Sequence, residues 1–302
     1  MAVLTVFINV MVPVFLMAGV GVALAYFRRI PPNPLAQAVL YAFSPSLAFH
    51  SLSTTVIPLD EIGRIAGFSI ILVSALFVFA WVAARFLKLN RQTEAAFFLC
   101  VLFMNAGNYG LPVALLAFGE EGLSRAIVFF VIQAMAGGTF GVFIASRGKG
   151  SVPEALSNVM RMPLGYAAIA GFIFSLSTIQ VPSFLANATE ILGNAAVPGM
   201  LLVLGIQLFN NFRVVEVRAV LVATVLRLLL AVGLAAVITS FIGISGLTQK
   251  ILIVLSGMPS AVFITILATE FDARPDVATS GVIVTTILSL VTLTGLLAFL
   301  TA

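Results

Sequence analysis

Residues 105–112 read Asn105-Ala106-Gly107-Asn108-Tyr109-Gly110-Leu111-Pro112. Two asparagines, two glycines and a proline in eight residues make poor helix sequence. Yet the stretch lies in the middle of an apolar run, 94–119, long enough to cross a bilayer core of about 30 Å. Backbone that leaves the helix in lipid is tolerated only where it is buried in protein or lines a cavity. A second such stretch, Ser256-Gly257-Met258-Pro259-Ser260, falls near the middle of the run 247–269. Two broken helices at mid-depth are therefore expected.

The rest of the chain supplies the membrane setting. It has 302 residues, 61% hydrophobic and 9% charged, with a mean hydropathy of +1.20. A soluble domain carries roughly 25% charged residues, so this chain has too little polar surface for a water-soluble globule. The apolar residues form ten runs, at 4–26, 36–57, 63–86, 94–119, 122–146, 163–180, 184–208, 218–242, 247–269 and 277–300. Inside lipid such runs are expected to be helices, because the backbone must satisfy itself. The opening run lacks a basic segment and a small-residue cleavage site, and reads as a retained first span. The connections are short, which excludes a soluble catalytic or nucleotide-binding domain. The longest, from Arg147 to Arg161, reads as a linker followed by an amphipathic helix at the membrane surface. It divides the chain into 1–147, a linker at 148–162, and 163–302.

The formal charge of +4 suggests no nucleic-acid partner, because the basic residues stand singly or in small groups between apolar runs. Of the fifteen Lys and Arg residues, eleven fall on one side of the ten spans. Three (Arg64, Arg125 and Lys250) fall on the other, and Arg227 lies inside a span. The positive-inside rule makes the first side cytoplasmic. Ten spans then place both termini outside a plasma (cell inner) membrane. The single cysteine, Cys100, excludes a disulfide framework and a multi-cysteine metal site, and reads as a packing residue.

Prolines recur at a nearly constant spacing. Pro13 and Pro163 are 150 residues apart, Pro45 and Pro198 are 153, and Pro112 and Pro259 are 147. The last pair carries flanking similarity, Gly110-Leu111-Pro112-Val113-Ala114 against Gly257-Met258-Pro259-Ser260-Ala261. A repeat of five spans is odd, so the second copy enters the membrane from the opposite side. Inverted repeats of this kind bind substrate near the midplane, where symmetry-related helices are broken.

Proline suits the first turn of a helix, so Pro112 and Pro259 are expected to begin second half-helices. Free N–H groups and about half a positive charge at each such end favour an anion. Asn105 and Asn108 add amide groups, and Tyr109, Gly110, Gly257, Met258 and Ser260 complete the two stretches. Gln133, mid-span in the fifth helix, needs a polar partner, and the nearby break is the candidate. Arg227 is the only charge deep in a span; its alternatives are a substrate carboxylate, snorkelling, or backbone carbonyls. The bland alternative for the pair is a proline kink between packed helices, with glycines allowing close contact. No Asp or Glu lies deep in a span, which argues against sodium held by carboxylates. There is no metal-protease, P-loop or nucleophile-elbow motif, so no enzyme, cofactor or metal is expected.

These residues resemble the auxin efflux carrier family, which includes the plant PIN auxin carriers and bacterial malate or malonate carriers. The resemblance spans essentially the whole chain. It is most specific over Asn105 to Gly122 and Gly257 to Ile283, and weaker over Asn194 to Leu208. The long cytoplasmic loop of some plant members is absent, so the chain resembles a compact prokaryotic member. The resemblance implies a ten-helix fold of two inverted five-helix repeats, like that of bile acid:sodium symporters. Helices 1, 2, 6 and 7 would form a dimerising scaffold, and helices 3–5 and 8–10 a mobile core. Substrate would sit where broken helices 4 and 9 cross, with a carboxylate held by Asn105 and Asn108 beside Pro112. Met258, Pro259 and Ser260 would be the ninth-helix counterparts and Gln133 the fifth-helix contributor.

The function expected is elevator-type secondary transport of a small organic anion by a homodimer. A passive pore, or an intramembrane enzyme or sensor, is the alternative.

Overall fold

The computed structural model describes residues 3–146, 157, 160–177, 179–209 and 214–301. Helix α1 is Val3–Arg28, α2 spans 32–54, α3 is Leu59–Leu87 and α4 is Arg91–Leu102. The helical run Ala106–Ala145 is kinked where Gly119 takes φ 66° and ψ −163°; its two parts are α5 (106–118) and α6 (120–145). Then come α7 (Pro163–Leu176), α8 (Ser183–Asn194) and α9 (Ala196–Phe209). Helix α10 is Val217–Phe241, α11 Gly246–Ser256, α12 Phe263–Glu270 and α13 Pro275–Thr301. Among the described residues there is no strand, only one isolated antiparallel bridge between Met104 and Ser260. The expected amphipathic helix in the 148–162 linker lies outside the described residues, apart from Ser157 and 160–162.

Six helical runs among the described residues are long and apolar enough to cross a membrane: Val3–Arg28, Leu59–Leu87, Ala106–Ala145, Ser183–Phe209, Val217–Phe241 and Pro275–Thr301. Apolar helices α7 and α11 are shorter. The distribution of side chains is the reverse of that in a soluble protein. Phe27, Phe86, Phe184, Phe241, Val291 and Phe299 face outward, while Ser69, Asn105, Gln133, Arg227, Ser260 and Thr285 are buried. Apolar side chains on the outside cost nothing in hydrocarbon, whereas polar groups there lose every partner. The protein is an all-helical, polytopic membrane protein.

The helices pack in two groups. Helix α1 lies on α9, and α2 lies on α7 and α8. Small residues set those contacts: a Cβ on Gly205 would stand 1.8 Å from the Ala18 carbonyl oxygen, and one on Gly21 2.3 Å from that of Leu202. Close backbone approach through glycine drives helix association where lipid removes the hydrophobic term. The second group is α3–α6 and α10–α13, in which α4 packs on α3, α10 and α13, and α11 on residues 111–136 and α10. The groups meet at several places, among them α9 against residues 106–110, α1 against α13, and α2 and α7 against residues 111–136.

Local sequence explains where the helices begin and end. Asn90 caps α4 by accepting the Thr93 N–H at 2.9 Å. Asp60 and Glu61 occupy the first turn of α3, where the helix dipole favours anions. Among the described residues the helices contain five wide turns, at Phe7–Met11, Val39–Phe43, Ala106–Gly110, Gly137–Gly141 and Leu226–Leu230. The third, which opens α5, and the fifth lie beside the breaks described next.

Candidate functional site

Helix α4 ends at Leu102, and Phe103 is extended (φ −106°, ψ 112°). Asn105 (φ −77°, ψ 62°) is the centre of an inverse γ-turn closed by the Ala106 N–H on the Met104 carbonyl at 2.8 Å. Helix α11 ends at Ser256, and residues 257–262 separate it from α12. The two interruptions run antiparallel. The Asn105 N–H donates to the Pro259 carbonyl at 2.7 Å, and the Ala261 N–H to the Phe103 carbonyl at 2.9 Å. Each break thereby satisfies backbone groups of the other, which is what exposed peptide groups at this depth require.

Side chains complete the joint. The Ser260 hydroxyl donates to the Cys100 carbonyl at 2.8 Å, and the Thr285 hydroxyl of α13 accepts the Ser260 N–H at 3.0 Å. Gly110 lets α5 approach the second break, since a Cβ there would meet Leu255 at 2.8 Å and Met258 at 3.5 Å. Cys100 is inert packing against Gly281, where a Cβ would come within 2.4 Å of its sulfur.

The prolines occupy positions other than those expected. Pro112 lies in the first turn of Leu111–Ala136, but the helical run already begins at Ala106. Pro259 starts no helix: it sits in the extended segment, four residues before Phe263. Its missing N–H is harmless there, and its carbonyl serves Asn105. The spacing of 147 between these prolines therefore marks no structural equivalence. The pairing of Met104 with Ser260 corresponds to a spacing of 156.

Arg227 is fully buried. Its Nη1 donates to the Val101 carbonyl at 2.8 Å and its Nη2 to the Ser256 carbonyl. Those carbonyls lie in the last turns of α4 and α11, where backbone acceptors otherwise lack partners. Of its sequence-level alternatives, carbonyl bonding is the one the structure displays. Its Nε has no partner among the described residues.

Three further polar atoms stand out. Asn105 Nδ2 and Gln133 Nε2 and Oε1 are buried without a partner among the described residues. A buried amide left unpaired costs about 1–3 kcal/mol, so these groups call for a ligand or water. Gln133 lies one turn from Phe130, whose ring covers the first break: a Cβ on Gly107 would meet it at 2.8 Å. Asn108 is half-buried at the same turn. Tyr109 is fully buried and engaged elsewhere, edge-on to Phe15 with centroids 6.0 Å apart and accepting from Ser289 at 3.3 Å. Gly257 packs against Val232 and Leu296, and Met258 is buried against Gly110.

Sequence reasoning missed Gln207 on α9 and Thr286 on α13, each with a buried oxygen that has no partner among the described residues. A lone hydroxyl or amide in an apolar run is too common to signal a site. It also missed two ion clusters at the helix ends. In one, Arg125 Nε donates to Glu61 at 2.8 Å and Thr248 at 3.0 Å, and Thr248 donates to Glu61. In the other, Arg274 Nη1 donates to Glu216 at 3.5 Å and Thr93 at 3.4 Å. Arg274 is also held by Asp276 at 2.9 Å, a hydrogen bond that raises its pKa further.

Comparison with known proteins bears on this geometry. Residues 6–160 and 150–297 match the family described as "Membrane transport protein". The chain belongs to the auxin efflux carrier family of membrane transport proteins, as a compact prokaryotic member. It is 28% identical over 263 residues to an uncharacterised transporter of Methanocaldococcus jannaschii, covering 85% of each chain. A second uncharacterised transporter, from Methanothermobacter thermautotrophicus, is 28% identical over 269 residues, 86% of each chain. A Rhizobium meliloti protein named "Putative malonate transporter" is 25% identical over 279 residues, 86% of this carrier and 84% of that protein.

Proposed function

We propose that this carrier moves a small carboxylate anion across the membrane by an elevator mechanism, with substrate held where the breaks of α4–α5 and α11–α12 meet. The observation that carries the reading is the unpaired Asn105 amide, buried beside the two hydrogen-bonded breaks. Helices α5 and α12 both begin there, adding N-terminal partial positive charge that favours an anion. Gln133 supplies a further donor and acceptor. The name of the Rhizobium relative suggests malonate as the first compound to try.

The ten-helix, inverted-repeat architecture is part of this proposal. The two ion clusters support it independently of the prolines. Glu61 and Glu216 are 155 residues apart, Thr93 and Thr248 are 155, and Arg125 and Arg274 are 149. In both clusters the arginine donates to the glutamate and to the threonine, and the three residue types recur at a nearly constant spacing, close to the 156 of the bridge. In this reading 1–147 and 163–302 are the two repeats, α1, α2 and α7–α9 are the scaffold of a homodimer, and the other helices form the moving core. Both termini lie outside the cell inner membrane. In this reading the protein is a carrier and no enzyme.

The test is thermal stabilisation of detergent-purified protein by malonate, malate, succinate and acetate. A ligand that binds only the folded state raises its stability by mass action. The expected result is a saturable shift with at least one carboxylate, lost in Asn105→Ala. No shift with any of them, in folded protein, overturns the substrate class.

A further inference from the structure

The Arg227 guanidinium stands between two helix C-termini and touches no carboxylate among the described residues. Each C-terminus carries about half a negative charge. Two of them aimed at one point amount to roughly −1, which a single guanidinium balances. This accounts for a fully buried arginine without an acidic partner. Val101 and Ser256 are 155 residues apart, the spacing that relates Glu61 to Glu216 and Thr93 to Thr248. Arg227 therefore sits where the two halves are related, although it comes from one of them.

In carriers with broken helices, half-helix C-terminal ends and unwound carbonyls are where a coupling sodium ion or proton is held. Here those carbonyls are taken by a side chain. We propose that Arg227 is a built-in cation: it permanently fills the place between the α4 and α11 ends that a free cation would otherwise occupy, and so assembles the substrate site without sodium. Arg227 is a positioning residue in this scheme, acting on the substrate through the two breaks. The inference rests on the paired breaks being the substrate site.

The proposal makes the cation exchangeable in a variant. Malonate binding by the wild type is expected to be the same in sodium, potassium and choline salts. Arg227→Ala is expected to lose about tenfold or more in affinity in choline, the scale of one lost pair of charge-assisted hydrogen bonds. Millimolar guanidinium or sodium should restore it saturably. Loss of binding that no cation restores would mean a merely structural role and overturn the proposal. So would wild-type affinity of R227A in choline, or a sodium requirement in the wild type. If R227A does not fold, Arg227→Lys decides: it keeps the charge without the fork, so binding within about tenfold of wild type supports the proposal and absence of binding overturns it. If the wild type binds no carboxylate in any salt, the carrier reading fails separately. Stability then reports on the inference: guanidinium or sodium stabilising R227A but not the wild type supports it, and no such difference overturns it.

Discussion

Asn105 gives its backbone N–H to the Pro259 carbonyl at 2.7 Å, while its equally buried side-chain Nδ2 has no acceptor among the described residues. The main chain of this residue joins the two breaks, and its side-chain amide nitrogen is left unpaired among the described residues. Removing the side chain should therefore separate binding from stability. Asn105→Ala keeps the backbone bonds and removes an unsatisfied buried group, so its melting temperature should equal or exceed that of the wild type. Its carboxylate-induced shift should vanish. A large drop in stability would show that the amide is structural.

Thr285 and Thr286 are neighbours with opposite accounts. The Thr285 hydroxyl accepts the Ser260 N–H, whereas Thr286 Oγ1 is unpartnered among the described residues. Thr285→Val should destabilise by about 1–3 kcal/mol, because it orphans a buried N–H. Thr286→Val should be neutral or stabilising. Chemical denaturation of the two variants side by side checks the difference.

Helices α1 and α9 meet through Gly205, where a Cβ would stand 1.8 Å from the Ala18 oxygen. Backbone cannot yield as a flexible side chain can, so Gly205→Leu should cost about 3 kcal/mol or more. Thermal unfolding in detergent measures this. Gly19, with open space around its Cβ, is the control: Gly19→Leu should change little.

The two Glu–Arg–Thr clusters differ in exposure. The Arg125 and Glu61 side chains are 17% and 19% exposed, against 30% and 45% for Arg274 and Glu216. Glu61→Gln should cost about 1 kcal/mol and Glu216→Gln only a few tenths, since water screens the second pair more. Added salt should shrink both costs. Equal effects would show that burial does not govern these pairs.

If the proposed inverted repeat holds, the kink after α5 and the turn after α12 lie on opposite sides. In a Cys100→Ser background, Glu120→Cys should react with a membrane-impermeant maleimide in intact cells. Asp272→Cys should react only after permeabilisation. Labelling of both from one side would overturn the inverted topology.

The membrane class and the positions of both breaks were legible in the primary structure. Lipid enforces simple rules: runs of about 20 apolar residues must be helices, and Asn, Gly and Pro at mid-span must mark exceptions. Asn105, Ser260, Gln133 and Arg227 stood out because polar groups in an apolar run are costly. The prolines did not give the helix starts, because proline marks only where an N–H is dispensable. Pro112 meets that condition inside a helical turn, and Pro259 meets it in an extended strand-like segment.

Composition and hydropathy alone determined that this chain is a polytopic membrane protein interrupted at two places, because those properties follow from the solvent around it. Only the tertiary structure decided that the interruptions hydrogen-bond to each other, that Arg125 joins Glu61 to Thr248 and Arg274 joins Glu216 to Thr93, and that Arg227 bonds the ends of both α4 and α11. These are contacts between residues up to 187 positions apart. A linear sequence carries each partner's chemistry, but the pairing depends on which helix ends packing brings within hydrogen-bond reach.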